Sequence, residues 1–581
     1  MPQLTRLHRV LLYGGVAALV YFTHLGQPAL WEPDEGRYAE IAREMAATGD
    51  YVTPRNDWVR YFEKPPLTYW LTAASIKVLG RNELAVRAPA ALASAGTVAV
   101  TAALGEAMFG TATGLLAAIA IASSPLFFIF ARFATPDPAL TVFFTAALAA
   151  FFLAARKRDF GDGAGRNLMI VASVALALGT LAKGPVTLLL GGGIGLIWIL
   201  VERRAKAISR IRWLECATIY LVIVAPWFIL AARRNSGFLS FFFVHEHLQR
   251  FVSSTEHGWG PWFFVPMVVA GSWPWFYFAF YGAAEVWVSP VANEGLGRRG
   301  AARFLFIWFA VVFVFFSIPR SKLGEYILPA MPPIAILAGL GLERVRSMEL
   351  SRARHLLGWF ALANLAWLAG AGAIELAWLS GRLGPVKGFA VLARDAVMLM
   401  AVWGIGAAGI YVTTRRTRSA GSLPWGITLV AVISAAILVK ARVDATPAVS
   451  YRELASTIDP YLRRGCTLAS YHHFVQALPF YTETRERLVG YRGELAPFGA
   501  SAEAAQSFIA TDARLRELWS APGCVILIAN RQDVAGLEAR LRPSPSPVGA
   551  EGKKVALINR PAVFVSRPQS RAAPPGQHPS E

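Results

Sequence analysis

Residues 137–155 read DPALTVFFTAALAAFFLAA, in which one aspartate precedes a stretch with no other charged side chain. A helix of about 20 predominantly apolar residues spans the hydrocarbon core of a bilayer. A basic run follows directly at 156–158, and lysine and arginine accumulate on the cytoplasmic side of membrane helices. The stretch therefore predicts a transmembrane helix that begins outside the cytoplasm at Asp137.

Similar apolar stretches recur along most of the chain. Of its 581 residues, 55% are hydrophobic and 16% are charged, whereas soluble proteins average roughly 45–50% and about 25%. These proportions exclude an ordinary soluble protein. We predict an all-α polytopic membrane protein with about 13 transmembrane helices. Their approximate cores are 8–25, 84–104, 112–131, 137–155, 167–183, 185–201, 213–232, 261–286, 304–319, 326–342, 355–379, 389–411 and 424–440.

The formal net charge of +20 does not indicate nucleic-acid binding, because the basic residues cluster in short runs between apolar stretches. With the N-terminus inside, these runs all fall on the cytoplasmic side, as the positive-inside rule requires. They are at 156–158, 203–206, 298–303, 344–346 and 415–418. The outside then receives the segments 26–83, 132–136, 233–260, 319–325 and the chain from about residue 441.

The chain divides into three predicted parts: 1–440 is a transmembrane domain with outside loops at 26–83 and 233–260, 441–564 is a soluble α/β domain, and 565–581 is disordered. Strand-like runs at 466–475 and 523–529 alternate with polar helical stretches in the second part. Cys466 and Cys524 also lie there. The sequence leaves open whether they form a disulfide.

The first outside loop contains a predicted helix in the segment WEPDEGRYAEIAREMAATGD, residues 31–50. Pro33 suits the first helical turn and Gly49 suits the end. The helix has one apolar face, formed by Tyr38, Ile41, Ala42 and Met45, and is therefore expected to lie along the membrane surface. Asp34 projects from the same side. Asp34 is either a functional carboxylate or a first-turn residue that interacts with the helix dipole.

Further charged residues fall on the outer side. In RYFEKPPLTYW, residues 60–70, two prolines hold Glu63 and Lys64 in a turn; these two form either a site or a surface ion pair. Asp137 is either a helix cap or a functional carboxylate at membrane depth. In FVHEHLQRF, residues 243–251, the two histidines at positions i and i+2 cannot share one helical face, so at most one is a metal ligand.

The segment PRSKLGEYILP, residues 319–329, places Arg320, Lys322 and Tyr326 on the same outer side. Phosphate contacts or snorkelling would explain these side chains.

The blocks DEGRYAEIAREM, RYFEKPPLTYW, HEHLQRF and SKLGEYILP, together with Asp137 between two spans, resemble the bacterial aminoarabinose (4-amino-4-deoxy-L-arabinose) lipid A transferases. They also resemble the wider protein mannosyltransferase-like, C-type glycosyltransferases, over nearly the whole chain. The resemblance implies a C-type glycosyltransferase fold in the bacterial inner membrane, with a periplasmic active site and a periplasmic C-terminal domain.

The resemblance also implies residue roles. Asp34 and Asp137 are the expected catalytic acids, and Arg37 and Tyr38 are expected to order the helix of Asp34. Glu63 and His245 would hold a divalent metal, zinc being the expected ion. Lys64, Arg250 and Tyr326 would bind the donor phosphate, and Tyr61 would line the cavity.

The implied reaction is transfer of a sugar from an undecaprenyl or other polyprenyl phosphate to an acceptor, with inversion. Aminoarabinose and lipid A are the expected sugar and acceptor. The sequence Pro66-Leu67-Thr68 is closer to the mannosyltransferase-like branch, so protein O-mannosyl transfer and glycolipid or cell-wall ligation stay open. A secondary transporter is the alternative of another class, but we find no inverted repeat.

Overall fold

The computed structural model describes residues 4–156, 160, 163–204, 208–249, 258–288, 297–379, 389–417, 423–499 and 504–560. The chain divides into two compact units. The first comprises Met1–Asn56 and Arg60–Val449, and the second comprises Asp57–Val59 and Ser450–Glu581. The last helix of the first unit thus runs past residue 440, where the sequence placed the domain boundary. The predicted disordered tail, 565–581, lies outside the described residues.

The first unit is built from helices. They are α1 (Arg6–Phe22), α2 (Asp34–Thr48), α3 (Leu67–Leu79), α4 (Glu83–Phe109), α5 (Thr111–Ser123), α6 (Pro125–Ala131), α7 (Asp137–Arg156), α8 (Gly163–Lys183), α9 (Val186–Val201), α10 (Trp213–Arg234), α11 (Phe264–Gly271), α12 (Trp275–Val288), α13 (Arg298–Ser317), α14 (Met331–Ser347), α15 (Leu350–Leu379), α16 (Phe389–Thr417) and α17 (Leu423–Val449). A π-helix, Ser240–Gln249, and 3₁₀ turns at Pro261–Phe263 and Gly324–Ala330 lie between them, with a two-stranded ribbon, β1 (Arg55–Asn56) and β2 (Val59–Arg60).

Many of these helices are long and apolar enough to cross a membrane. Within the described residues, eight helices meet that criterion, and two bent pairs raise the number to ten. The helical membrane fold is therefore confirmed, whereas the count of about 13 spans is not. The predicted single spans 112–131 and 261–286 are each broken, by bends of 67° and 100°. Pro125 and Pro274 stand at these breaks, because proline lacks the N–H that would continue a helix.

Small residues allow close helix packing in the first unit. Gly282 of α12 lies against the backbone of α14 at Leu337 and Gly341, and Gly341 in turn lies against Phe278. A Cβ atom at either glycine would collide with backbone atoms of the other helix. Close backbone approach of this kind is a usual way in which membrane helices associate.

The second unit is the small α/β domain that the sequence predicts. Its helices are α18 (Arg452–Leu462), α19 (Ala477–Thr482), α20 (Asp512–Ser520) and α21 (Val534–Arg540). Short 3₁₀ turns lie at Gly493–Phe498, Ala504–Ser507 and Arg531–Asp533. The strands are β3 (Thr467–Tyr471), β4 (Glu486–Val489), β5 (Phe508–Ile509), β6 (Val525–Asn530), β7 (Ser546–Glu551) and β8 (Lys554–Ile558).

The six strands form one sheet in the order β5-β4-β3-β6-β8-β7. The first four are parallel, and β8 pairs antiparallel with both β6 and β7. A disulfide joins Cys466 to Cys524, at the starts of the neighbouring strands β3 and β6. The pairing that the sequence left open is thus formed.

A short segment of the first loop also belongs to this second unit. The amide N–H of Glu486 donates to the Asp57 carboxylate over 2.8 Å, and the Ser507 hydroxyl donates to the Asp57 carbonyl over 3.0 Å. Asp57 and Trp58 both have a positive φ, of 53° and 66°, which is uncommon for residues other than glycine. The guanidinium of Arg485 lies 5.4 Å from the centre of the Trp58 ring.

Candidate active site

Asp34 lies in the first turn of helix α2, as the sequence predicts, and is its first residue, with Pro33 at the N-cap. The helix ends at Gly49, whose φ of 71° suits glycine. The Asp34 carboxylate is about one-third exposed, at 34%, and lies 3.5 Å from Arg37 Nη1. It is therefore accessible to a substrate and only loosely paired.

Aromatic residues lie around the first turns of helix α2. Tyr38 is buried, with its ring centre 6.0 Å from that of Tyr69, and the Arg37 guanidinium lies 6.0 Å from the centre of the Tyr61 ring. Burial raises the pKa of Tyr38 well above its ordinary value, and the neighbouring Tyr69 and Asp34 raise it further. Tyr38 therefore stays a neutral hydrogen-bond donor beside the carboxylate.

Asp137 is the first residue of helix α7 and is almost fully buried. Its carboxylate forms an ion pair with Lys183, the last residue of helix α8. The Lys183 ammonium also lies 4.0 Å from the centre of the Tyr326 ring. A buried carboxylate held by an ammonium is less accessible to a substrate than Asp34, and it is better suited to orienting a neighbouring group.

Glu325 connects these two regions. It is buried and lies within electrostatic range of Asp137, Lys183 and Asp34. Asp34, Asp137 and Tyr326, which are far apart in the sequence, therefore lie in the same region of the fold. Lys183 and Glu325 are not among the residues that the sequence motifs single out. Lys183 could have been identified from its position at the outer end of a predicted span. Glu325 could have been identified because it lies in the segment PRSKLGEYILP, beside Tyr326.

Lys64 and His245 meet through Glu246. The Lys64 ammonium lies 4.0 Å from Glu246 Oε2, and His245 Nδ1 lies 3.5 Å from Glu246 Oε1. Lys64 of the first outside loop thus lies beside His245 and Glu246 of the π-helix. Their contact runs through Glu246, to which the sequence analysis assigned no role. Lys64 also donates to the carbonyl of Glu63 over 3.2 Å.

A metal ion would need more donors than this arrangement supplies. Across the described ranges, no three His, Cys, Asp or Glu side chains lie close enough together to hold one. The His245 side chain is 57% exposed and stacks on Phe241, while the side chain of His247 lies outside the described set. The donors present do not by themselves fit a zinc ion, so the cation at Glu63 and His245 stays a prediction.

Of the remaining cations predicted to contact phosphate, Arg250 lies outside the described residues. Lys322 is buried and donates to the carbonyls of Trp259, over 3.1 Å, and Pro319. Trp259 N–H in turn donates to the Arg320 carbonyl over 3.1 Å. Lys322 therefore joins two connecting segments through these carbonyls, and a phosphate contact of Lys322 stays a prediction.

Comparison with known proteins gives matches along most of the chain. The family described as dolichyl-phosphate-mannose-protein mannosyltransferase matches residues 63–230. The undecaprenyl phosphate-alpha-4-amino-4-deoxy-L-arabinose arabinosyl transferase of Erwinia tasmaniensis is 32% identical over 56% of this chain and 58% of its own length. The Enterobacter sp. protein of that name is 29% identical over 70% of this chain and 67% of its own. The chain thus aligns with only about three-fifths of the first relative's length.

A structural match covers nearly the whole chain. The crystal structure of ArnT from Cupriavidus metallidurans bound to undecaprenyl phosphate superposes with a TM-score of 0.81 at 28% identity, covering 97% of this chain and 99% of that one. Its apo structure gives a TM-score of 0.80. These similarities agree with the resemblance of the sequence motifs. They also agree with the clustering of carboxylates and lysines at the candidate site. The chain therefore has the C-type glycosyltransferase fold, and it is similar to the undecaprenyl phosphate aminoarabinose transferases.

Proposed function

We propose that this protein transfers a sugar from a polyprenyl phosphate, with undecaprenyl phosphate as the carrier, to an acceptor on the outer face of the membrane. The observation that carries the proposal is the gathering of Asp34, Asp137, Glu325, Lys183 and Tyr326 in a fold that superposes on ArnT bound to undecaprenyl phosphate. Aminoarabinose as the sugar follows from the names of the relatives, and lipid A as the acceptor follows from the resemblance of the sequence motifs.

The chemistry fits these residues. Transfer breaks the bond between the anomeric carbon and the phosphate oxygen, and the departing polyprenyl phosphate takes up negative charge. Lys64 and Lys183 supply cations that stabilise this charge more in the transition state than in the bound donor. The oxygen of the acceptor forms the new bond to the anomeric carbon from the opposite side, so the configuration inverts.

Asp34 is the residue best placed to act on the acceptor. A hydroxyl acceptor must lose its proton as it attacks, and an accessible carboxylate can accept that proton. A phosphate acceptor is already ionised and needs only orientation. Asp137, paired with Lys183, has the complementary role of fixing the ammonium near the leaving phosphate.

We also propose that the protein lies in the bacterial inner membrane with this site on the periplasmic face. The alternation of basic runs with apolar stretches supports this orientation. The Cys466–Cys524 disulfide supports it independently, because disulfides persist in the periplasm and are rare in the cytoplasm.

Transfer of mannose to protein is the second candidate, because the family model that matches residues 63–230 is described as a protein mannosyltransferase. Purified protein in lipid nanodiscs separates the two. One reaction contains undecaprenyl phosphate aminoarabinose and lipid A, and the other contains polyprenyl phosphate mannose and a serine/threonine peptide. We expect mass spectrometry to show pentosyl addition to lipid A. Mannosylated peptide alone would select the second candidate, and no transfer in either reaction would contradict the proposal.

A further inference from the structure

Glu35 follows Asp34 directly and is fully buried with two arginines. Arg87, in α4, donates from Nε and Nη2 to the two carboxylate oxygens, each over 2.7 Å. Arg442, in the last helix α17, donates from Nη2 to the same oxygens over 3.0 and 2.9 Å. The Glu35 carboxylate of α2 thus bonds to side chains of α4 and α17.

The same carboxylate also accepts two backbone hydrogen bonds. The N–H of Trp31 donates to Oε2 and the N–H of Ala134 donates to Oε1, both over 3.1 Å. Trp31 precedes the helix that begins with Asp34. Ala134 lies three residues before Asp137, in the segment that leads into α7. Glu35 therefore bonds to the backbone that carries each of the two candidate catalytic acids.

The arginines extend these contacts to neighbouring segments. Arg87 donates to the carbonyls of Leu25, Pro28 and Ala29 over 3.0, 2.5 and 2.8 Å, which fixes the turn before α2. Arg442 donates to the carbonyl of Arg132, and its guanidinium lies 4.7 Å from the centre of the Phe133 ring. Both outside segments, 25–35 and 132–137, are thus held from two directions.

Glu35 is ionised in this environment. Burial alone raises the pKa of its carboxyl, but Arg442 and Arg87 outweigh that effect and lower the pKa to about 2. The charge is needed structurally, because two buried guanidinium groups without a counter-ion would be strongly unfavourable.

We propose that Glu35, Arg87 and Arg442 form a positioning cluster that fixes Asp34 relative to Asp137. None of the three is a catalytic residue, because each acts by holding the two segments from which Asp34 and Asp137 project. The inference rests on the proposed function only where it concerns catalysis. Its structural part, that the Glu35 carboxylate holds both segments, can be tested without any substrate.

The structural test compares Glu35→Gln with Glu40→Gln. Glu40 is a matched control, because it is a buried glutamate of the same helix that accepts two hydrogen bonds of 2.6 Å from Arg43, within α2 itself. Hydrogen–deuterium exchange of the full-length protein reports on peptides covering 25–35 and 132–137. We expect faster exchange in both peptides for Glu35→Gln, and unchanged exchange at 132–137 for Glu40→Gln. Unchanged exchange at 132–137 in Glu35→Gln would overturn the proposal.

The catalytic test measures kcat and KM with undecaprenyl phosphate aminoarabinose as donor. Misplacing catalytic groups by about 1 Å costs roughly 100-fold in rate, so we expect Glu35→Gln to lower kcat by about 10- to 100-fold with little change in KM. Glu40→Gln should retain kcat per folded molecule. Equal kcat in the two variants would contradict the positioning role, whereas a wild-type protein without transfer would contradict the proposed function instead.

Arg442→Lys replaces Glu35→Gln as the test variant if the Glu35→Gln protein does not fold. It keeps the positive charge but loses the fork that contacts the carboxylate and the Arg132 carbonyl together. We expect the same loss of kcat and the same faster exchange at 132–137. The double variant Glu35→Gln/Arg442→Gln should have a kcat no lower than that of the poorer of its two single variants, Glu35→Gln and Arg442→Gln. The reason is that both changes break the same cluster. Additive losses would show that the two residues act separately.

Discussion

Asp34 and Asp137 both begin a helix, yet their surroundings give them different chemistry. Asp34 is accessible and 3.5 Å from Arg37, whereas Asp137 is buried against Lys183. We predict that Asp34→Asn lowers kcat by about 100- to 10,000-fold, the usual contribution of a general base. Binding of undecaprenyl phosphate should change little, because Asp34 acts on the acceptor. Wild-type turnover by this variant would remove Asp34 from the mechanism.

Lys183 should matter to the leaving group. Lys183→Gln removes the cation beside Tyr326 and leaves the buried Asp137 without its ammonium. We predict that kcat/KM for the lipid donor falls by about 100-fold. The double variant Asp137→Asn/Lys183→Gln should lose less than the product of the two single losses, because they belong to one ion pair. Multiplicative losses would indicate independent roles.

The predicted cation can be tested on the same preparation. Purified protein, alone and with undecaprenyl phosphate, is analysed for bound zinc and other divalent metals. We expect occupancy to fall in Glu63→Ala and in His245→Ala. His355→Ala is the control, since His355 bonds to Trp359 within α15. If both test variants keep the wild-type metal content, Lys64 and the other cations hold the phosphate alone.

The alternation of apolar stretches and basic runs predicts the sidedness of each connecting segment. We predict that a cysteine at Ser456, exposed in α18, reacts with a membrane-impermeant maleimide in intact spheroplasts. A cysteine at Ser351, exposed at the start of α15, should react only after lysis. Cys216 is replaced by serine in both, because it is the free cysteine of the described residues. Protection at Ser456, or labelling of Ser351 in intact cells, would reverse the topology.

Helices encoded by local signals were predicted well from the sequence. Helix α2 has an acidic first turn and Gly49 at its end, and both are visible within residues 31–50. The segment 240–249 was not predictable in this way. It forms a π-helix, whose wider turn is rare and has no strong local signature. The breaks at Pro125 and Pro274 could have been read from proline alone, but hydropathy does not register a bend within an apolar stretch.

At the level of the whole chain, hydropathy predicted the helical membrane unit because a bilayer demands long apolar helices. The candidate site was only partly predictable. Asp34, Asp137 and Tyr326 were found by motif, whereas Lys183, Glu325 and Glu246 have roles that depend on partners distant in sequence. Glu35 shows the reason: its partners Arg87 and Arg442 lie in helices that no local pattern relates to it.

Residues Asp57–Val59 belong to the unit whose other residues begin at Ser450. Asp57 and its partner Glu486 are 429 positions apart, so a ribosome must add all of the intervening residues before this contact can form. The entropic cost of closing a loop grows with the logarithm of its length, by about 0.6 kcal/mol for each doubling. The contact therefore forms late in biogenesis: Asp57 is synthesised early, but Glu486 becomes available only much later. A product that stops before Glu486 lacks this partner of Asp57.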